Sequence, residues 1–233
     1  MLIEIVFDHP DFVVVNKPSG IAVQNEIEQN GILPILCKQL HVEKLWLVHR
    51  LDKVTSGLLI LAKSANAAAA FGKLFEERKI EKFYIALSSN KPKKKQGTVK
   101  GSMKKVRDGK WMLSTEGGSN AITQFFSYSI LPGVRLFLLK PHTGKTHQLR
   151  VMLKSMGSPI IGDKLYEGTS KAKIGDAERT YLHAYALKFT YLKTEICLIN
   201  SPSSGELFKL TELHEHLQSL QQPWCLQWPK LKK

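Results

Sequence analysis

The sequence predicts an α+β fold with a mixed, largely antiparallel β-sheet and flanking helices. Runs of β-branched and aromatic residues dominate the chain, and several alternate between apolar and polar side chains. Residues 121–130 and 134–139 are two such runs, and Leu131-Pro132-Gly133 between them is a hairpin signal. Helical patterns are scattered among the strands without regular βαβ alternation, so a doubly wound parallel sheet is not expected.

The N-terminal half mixes strand and helix signals. A short helix is predicted over residues 31–41 and an Ala-rich helix over residues 65–78, for which Ser64 is a good N-cap. Strands are predicted over residues 3–7, 12–15, 45–49, 58–62 and 81–87. In the last of these, Tyr84 alternates with Phe83, so it is not expected to share the apolar face.

The segment after residue 90 breaks these patterns. Residues 91–110 hold nine basic residues and one acid, a net charge of 9 − 1 = +8. A helix is predicted over residues 146–156, because Leu149, Met152 and Leu153 follow helical spacing. Strands are predicted over residues 181–191 and 195–199. A terminal helix is predicted over residues 206–217, and a basic tail follows at residues 229–233.

Charge and cysteine usage restrict the classes of function. The chain has 34 Lys and Arg against 20 Asp and Glu, a formal charge of +14, which favours a polyanionic partner such as nucleic acid. No apolar run reaches the ~20 residues of a membrane span, and the N-terminus lacks a signal-peptide pattern. The three cysteines are far apart without a CxxC, which excludes a zinc ribbon and indicates a cytoplasmic protein. No obligate protein partner is indicated.

The basic segment 91–110 is predicted to be a mobile arm beside a cleft that grips RNA backbone. Lys93, Lys94 and Lys95 follow each other in a stretch that cannot bury itself. The alternative is a solvated surface hairpin with no partner.

Two polar segments could carry chemistry. Asp52 lies between a predicted strand and the Thr-Ser-Gly turn of HRLDKVTSG, where it either forms part of a site or only accepts turn hydrogen bonds. Arg150 lies at the margin of the apolar stripe of the helix predicted at 146–156, where it is expected to be partly desolvated and to need a carboxylate. Lys145 lies near the start of that helix, a position that favours phosphate.

The segments HRLDKVTSGLLI, KFYIAL and TGKTHQLR, in this order, resemble the three catalytic motifs of the Rlu-type pseudouridine synthases, which act on ribosomal and transfer RNA. FDHPDFVVVNKPSGIAV, GSPIIGDKLY and YLHAYAL resemble flanking segments of that family, so the resemblance covers about residues 3–200. It implies one catalytic domain over residues 1–233 with a central cleft and no separate N-terminal RNA-binding domain. It also implies no metal and no organic cofactor.

The resemblance assigns catalytic roles to three residues. Asp52 is the essential carboxylate, acting either as a base at the ribose C2′ or as a nucleophile at C6 or C1′ of the target uridine. Tyr84 stacks on the target base, and Arg150 forms an ion pair with Asp52. Substrate contacts fall to His49, Arg50, Thr55, Lys145, Leu149 and the basic segment with Lys93, Lys94 and Lys95.

The sequence departs from the family pattern at three positions, and its features also fit two other functions. Lys145 stands where the family usually has Arg, Met152 where it often has His, and Ser158 replaces another His. One rival is a catalytically silent RNA-binding or chaperone protein, for which charge alone suffices. Another is a metal-free ribonuclease that uses two of His49, His147 and His183. The target RNA, transfer or large-subunit ribosomal, is not encoded in any side-chain pattern.

Overall fold

The computed structural model describes residues 1–24, 31–114, 116–118, 120–167 and 177–231. Within these residues the chain forms two compact units. The first unit consists of Met1–Glu81 and His183–Pro202, and the second of Lys82–Leu182 and Ser203–Lys233. The prediction of one catalytic domain without an N-terminal RNA-binding domain stays a prediction.

The first unit is built on a buried central strand, β4. Its strands are β1 (Glu4–Asp8), β2 (Phe12–Lys17), β3 (Trp46–Leu47), β4 (Ser56–Ala62), β10 (Leu182–Tyr191) and β11 (Thr194–Ile199). They pair in the order β1-β2-β4-β10, with β3 on β4 and β11 on β10. Every residue of β4 is buried, which explains its continuous apolar run. Since β4 and β10 are parallel while the other pairs are antiparallel, the sheet is mixed, as predicted.

Two helices belong to the first unit. Helix α1 (Ile32–Leu40) and helix α2 (Ala65–Glu76) lie within the segments predicted as helical. The Ala67 N–H donates to Ser64 Oγ at 3.1 Å, which confirms the predicted N-cap. Helix α2 buries Phe71 and Ala67, members of its apolar stripe.

The second unit has an antiparallel sheet in the order β5-β9-β8-β6-β7. Its strands are β5 (Glu81–Ser88), β6 (Gln96–Lys105), β7 (Trp111–Ser114), β8 (Ala121–Leu131) and β9 (Val134–Pro141). The predicted hairpin is β8–β9, closed at Gly133 with φ 81°. Helix α3 (Gln148–Ser155) and helix α4 (Thr211–Gln218) complete the unit, with short 3-10 helices at Glu206–Lys209 and Pro223–Cys225.

The prediction of a mobile arm over residues 91–110 is wrong for its central part. Strand β6 pairs with β8 from Gln96 to Gly101 and with β7 from Ser102 to Lys105. Met103 is 8% exposed, so the strand contributes to a small core. The sequence hid this strand because its exposed positions carry lysines, and charge on a half-exposed strand resembles charge in a loop.

Two predicted helices have different bounds. Helix α3 begins at Gln148 because His147 has left-handed backbone angles, φ 56° and ψ 17°. The predicted helix over 206–217 is divided, since Leu210 is extended (φ −57°, ψ 131°) between the 3-10 helix and α4. Among the described helices, none combines the length and the apolar character that crossing a membrane requires.

Candidate active site

The candidate catalytic carboxylate lies on a tight turn of the first unit. Asp52 is half-buried, and its carbonyl oxygen accepts the Thr55 N–H at 2.9 Å. A second carbonyl of the turn is also held, because Ser19 Oγ donates to the Val54 oxygen at 2.7 Å. The turn is therefore fixed through its main chain.

A buried lysine supports this turn. Lys17 is fully buried, and its Nζ donates to the carbonyl oxygens of Pro18 at 2.8 Å, Ile21 at 2.7 Å and Lys53 at 3.2 Å. Three donors on an ammonium thus meet three acceptors, which offsets the desolvation of the charge. Lys53 directly follows Asp52, so these three hydrogen bonds position the turn that carries Asp52. Sequence reasoning gave Lys17 no role, although it lies in the NKPSG stretch of a segment that resembles the family.

Gly57 closes the turn at a place where a side chain does not fit. Its φ is +107°, and a Cβ at this position would lie 2.3 Å from the Ala184 carbonyl oxygen. The two backbones approach this closely because β4 and β10 begin side by side, with Ser56 opposite His183. Glycine is therefore required for the parallel strand pair that carries the turn.

Two histidines of the first unit have structural contacts. The Ile60 N–H donates to His49 Nε2 at 2.9 Å, and the His49 ring packs 4.9 Å from Phe75. Both ring nitrogens of His183 are in hydrogen bonds, with Ser56 Oγ and the Asn200 carbonyl, each at 2.8 Å. These contacts disfavour the ribonuclease hypothesis, which needs a pair of histidines available for proton transfer.

The other predicted substrate contacts differ in exposure. Arg50 and Lys145 are exposed, as direct contacts to RNA require. Thr55 is 2% exposed and Leu149 is 7% exposed, so both belong to the packed interior of their units. Their roles in substrate binding stay predictions. Lys93, Lys94 and Lys95 are all exposed and precede β6.

Tyr84 lies on β5 in the second unit and is half-buried, opposite Leu139 of β9. Phe83 is fully buried on the opposite face, 5.8 Å from Trp228. This confirms the prediction that Tyr84 and Phe83 lie on opposite faces of the strand. Lys82 shares the face of Tyr84, and burial lowers the pKa of its ammonium group.

Arg150 is buried at 5% exposure and is held by a carboxylate that sequence reasoning missed. Its Nε donates to Asp163 Oδ2 and its Nη2 to Asp163 Oδ1, both at 2.8 Å. Asp163 is fully buried, so this is a bidentate internal ion pair. The predicted pair between Arg150 and Asp52 joins residues of different units and stays a prediction. The signal that could have found Asp163 is its place in GSPIIGDKLY, one of the segments that resemble the family.

Gln148 organises the loop before helix α3. Its Oε1 accepts the Lys145 N–H at 3.0 Å and the Thr143 hydroxyl at 2.8 Å. Its Nε2 donates to Thr123 Oγ1 at 2.9 Å, so the side chain ties the loop to strand β8. Gln148 is 6% exposed, and its side chain fixes the backbone at the predicted phosphate contact, Lys145. In the part of the chain that the structure describes, no group of three His, Cys, Asp or Glu could hold a metal ion.

Comparison with known proteins identifies the family. The family model described as RNA pseudouridylate synthase matches residues 11–155, which include Asp52, Tyr84 and Arg150. The chain belongs to the RNA pseudouridine synthase family. An uncharacterized RNA pseudouridine synthase of Haemophilus influenzae is 53% identical over 94% of this chain and 96% of its own length.

Two further relatives show the range of this similarity. The ribosomal large subunit pseudouridine synthase C of Rickettsia bellii is 36% identical over 70% of this chain and 56% of its own length. The solved structure of human RNA pseudouridylate synthase domain containing 4 is 30% identical, with a TM-score of 0.74 over 91% of this chain and 93% of its own. The pseudouridine synthase fold and the isomerase activity that the motifs implied are therefore confirmed.

Proposed function

We propose that this synthase isomerises a specific uridine in a structured cytoplasmic RNA, with Asp52 as the essential carboxylate. The reaction breaks the N1–C1′ bond, rotates the base and forms the C5–C1′ bond, while the C5 proton leaves and N1 gains a proton. The observation that carries the proposal is the turn of Asp52, whose backbone is fixed by Thr55 and by the hydrogen bonds of Lys17. A carboxylate on a turn with a fixed main chain suits either a base at C2′ or a nucleophile at C6 or C1′.

Arg150 and Tyr84 complete the proposed catalytic set. The Arg150 guanidinium donates to Asp163 through Nε and Nη2, so its orientation is fixed, and in the proposal it also faces a second carboxylate. In the proposal that carboxylate is Asp52, and Tyr84 stacks on the target base. Arg50, which is exposed and close to Asp52 in the chain, fills the space that the flipped base leaves.

Large-subunit ribosomal RNA is the favoured substrate, and transfer RNA is the second candidate. The support is the name of relatives such as the Rickettsia bellii enzyme, a ribosomal large subunit pseudouridine synthase. Mapping pseudouridines in total RNA from cells with and without the gene tests both. We expect one site to disappear in large-subunit RNA and to return on complementation. Loss of a transfer RNA site instead would select the second candidate, and an unchanged map would contradict the proposed function.

The basic strand β6 and the lysines before it are proposed to contact RNA backbone. Lys93, Lys94 and Lys95 are exposed together. Alternation along β6 places Lys105 on the face of Met103 and Lys104 on the other face, so the hairpin presents positive charge on both sides. Strand pairing therefore fixes the backbone that carries Lys104 and Lys105 before RNA binds.

Salt dependence of RNA binding tests this surface. Replacing Lys93, Lys94 and Lys95 with Gln is expected to flatten the slope of log K against log salt by ~0.7–0.9 for each phosphate that is no longer neutralised. The matched control replaces three exposed lysines elsewhere with Gln: Lys38 of helix α1, Lys73 of helix α2 and Lys79 after α2. This triple variant has the same change in net charge. Equal slopes for the two triple variants would leave solubility as the explanation for the basic segment.

A further inference from the structure

Tyr166 lies where the β6–β7 hairpin packs on helix α3. It is 5% exposed and forms a small core with Met103 of β6, Ala121 of β8 and Val151 of α3. Trp111 of β7 packs against the same cluster. All of these residues belong to the second unit. Tyr166 therefore connects the basic hairpin to the helix that carries Arg150.

The hydroxyl of Tyr166 connects strand β7 to the residue before helix α3. It accepts the main-chain N–H of Trp111 at 2.9 Å and lies 2.8 Å from the side-chain Nδ1 of His147. The Tyr166 hydroxyl and His147 Nδ1 therefore share a hydrogen bond, whose direction follows the tautomer of the imidazole. His147 directly precedes α3 in a left-handed conformation that few non-glycine residues adopt. The hydroxyl thus anchors the residue that sets the start of the helix.

The ring of Tyr166 supports Arg150 from the side. The guanidinium carbon of Arg150 lies 5.0 Å from the ring centre, within cation–π distance. Asp163 holds the edge of the same guanidinium, and the Tyr166 N–H donates to the Asp163 carbonyl at 3.0 Å. One turn of the chain therefore supplies both the ring and the carboxylate that orient Arg150.

We propose that Tyr166 is a positioning residue for the reaction, because its hydroxyl and ring hold His147 and Arg150 in the productive orientation. The inference rests on the proposed catalytic role of Arg150. Tyr166 is buried, so its effect falls on the rate constant of bound RNA and not on RNA affinity. A residue that only stabilised the fold would not separate these two quantities.

The variant Tyr166→Phe keeps the ring and removes the hydroxyl. Single-turnover tritium release is measured with total RNA labelled with [5-³H]uridine in a strain that lacks the enzyme, at increasing enzyme excess. The rate constant at saturation is expected to fall about tenfold, ~1.4 kcal/mol in the barrier. The half-saturating enzyme concentration is expected to stay within about twofold, since the variant keeps every group proposed to bind RNA. The salt slope of RNA binding is expected to be unchanged.

Matched variants isolate the hydrogen bond. Tyr128→Phe makes the same chemical change in β8, where Tyr128 packs 4.7 Å from His216, and no change in rate is expected. His147→Ala breaks the same bond as Tyr166→Phe, so the double variant is expected to be no slower than the slower single variant. His147→Asn keeps a side-chain amide that can either donate or accept this hydrogen bond and tolerates the left-handed backbone, so it is expected to recover most of the rate.

A wild-type saturating rate for Tyr166→Phe overturns the inference, and so does full additivity with His147→Ala. Failure of the proposed function has a different signature. In that case Asp52→Asn retains activity, a result that does not involve Tyr166. If Asp52→Asn is inactive while Tyr166→Phe is normal, only the positioning role is overturned.

Discussion

Replacing Asp52 with Asn is expected to abolish pseudouridine formation while the fold and RNA affinity stay nearly unchanged. The amide can act neither as a base nor as a nucleophile, so the rate should fall by more than about a thousandfold, ~4 kcal/mol. The turn is expected to survive because the Thr55 N–H bonds to the main-chain oxygen of Asp52, which the substitution keeps. Tritium release from [5-³H]uridine-labelled RNA, RNA filter binding and thermal unfolding measure the three quantities.

Asp11→Asn is the matched control for this experiment. Asp11 is also a half-buried carboxylate of the first unit, and it accepts a hydrogen bond from the Tyr191 hydroxyl at 3.1 Å. Asp11 has no role in the proposed reaction, so the rate of the Asp11→Asn variant should equal that of the wild type. Turnover by Asp52→Asn within about tenfold of wild type, ~1.4 kcal/mol, would contradict the assignment of Asp52.

Replacing Asp163 with Ala is expected to cost about 3–5 kcal/mol of the free energy of unfolding. Asp163 and Arg150 are 0% and 5% exposed, so the substitution removes two charge-assisted hydrogen bonds from a buried guanidinium. Desolvation of the cation then lacks the compensation that the carboxylate supplied. Urea unfolding with unchanged m-values measures the loss as a shift in midpoint.

Two comparisons test this explanation of the Asp163 effect. Glu206→Ala removes an exposed partner of Lys209, a pair 2.8 Å apart, and should cost far less stability than Asp163→Ala. Combining Asp163→Leu with Arg150→Met leaves no unpaired charge and should regain part of the stability that Asp163→Ala removes. A loss for Asp163→Ala no larger than that for Glu206→Ala would show that the buried pair does not stabilise the fold.

Local patterns predicted most of the secondary structure correctly. The Ser64 cap, the β8–β9 hairpin and the phase of Tyr84 on β5 were all confirmed, because each depends on residues within a few positions along the chain. Strand β6 was missed because glycine and polar residues occupy both of its faces, and a periodicity argument detects a strand only when its polar and apolar positions contrast. The split at Leu210 was missed because both halves carry helical spacing.

The sequence by itself determined the α+β class and, through three ordered motifs, the pseudouridine synthase family with Asp52, Tyr84 and Arg150 as candidates. Only the tertiary structure decided which residues hold the turn of Asp52 and the guanidinium of Arg150 in place. Lys17 reaches the Lys53 carbonyl across 36 positions, and Gly57 meets Ala184 where two strands begin together. The physical reason is that a buried charge or a close backbone contact is satisfied by whatever the fold brings near. Hydrophobic periodicity reports how exposed a position is, but not what it touches.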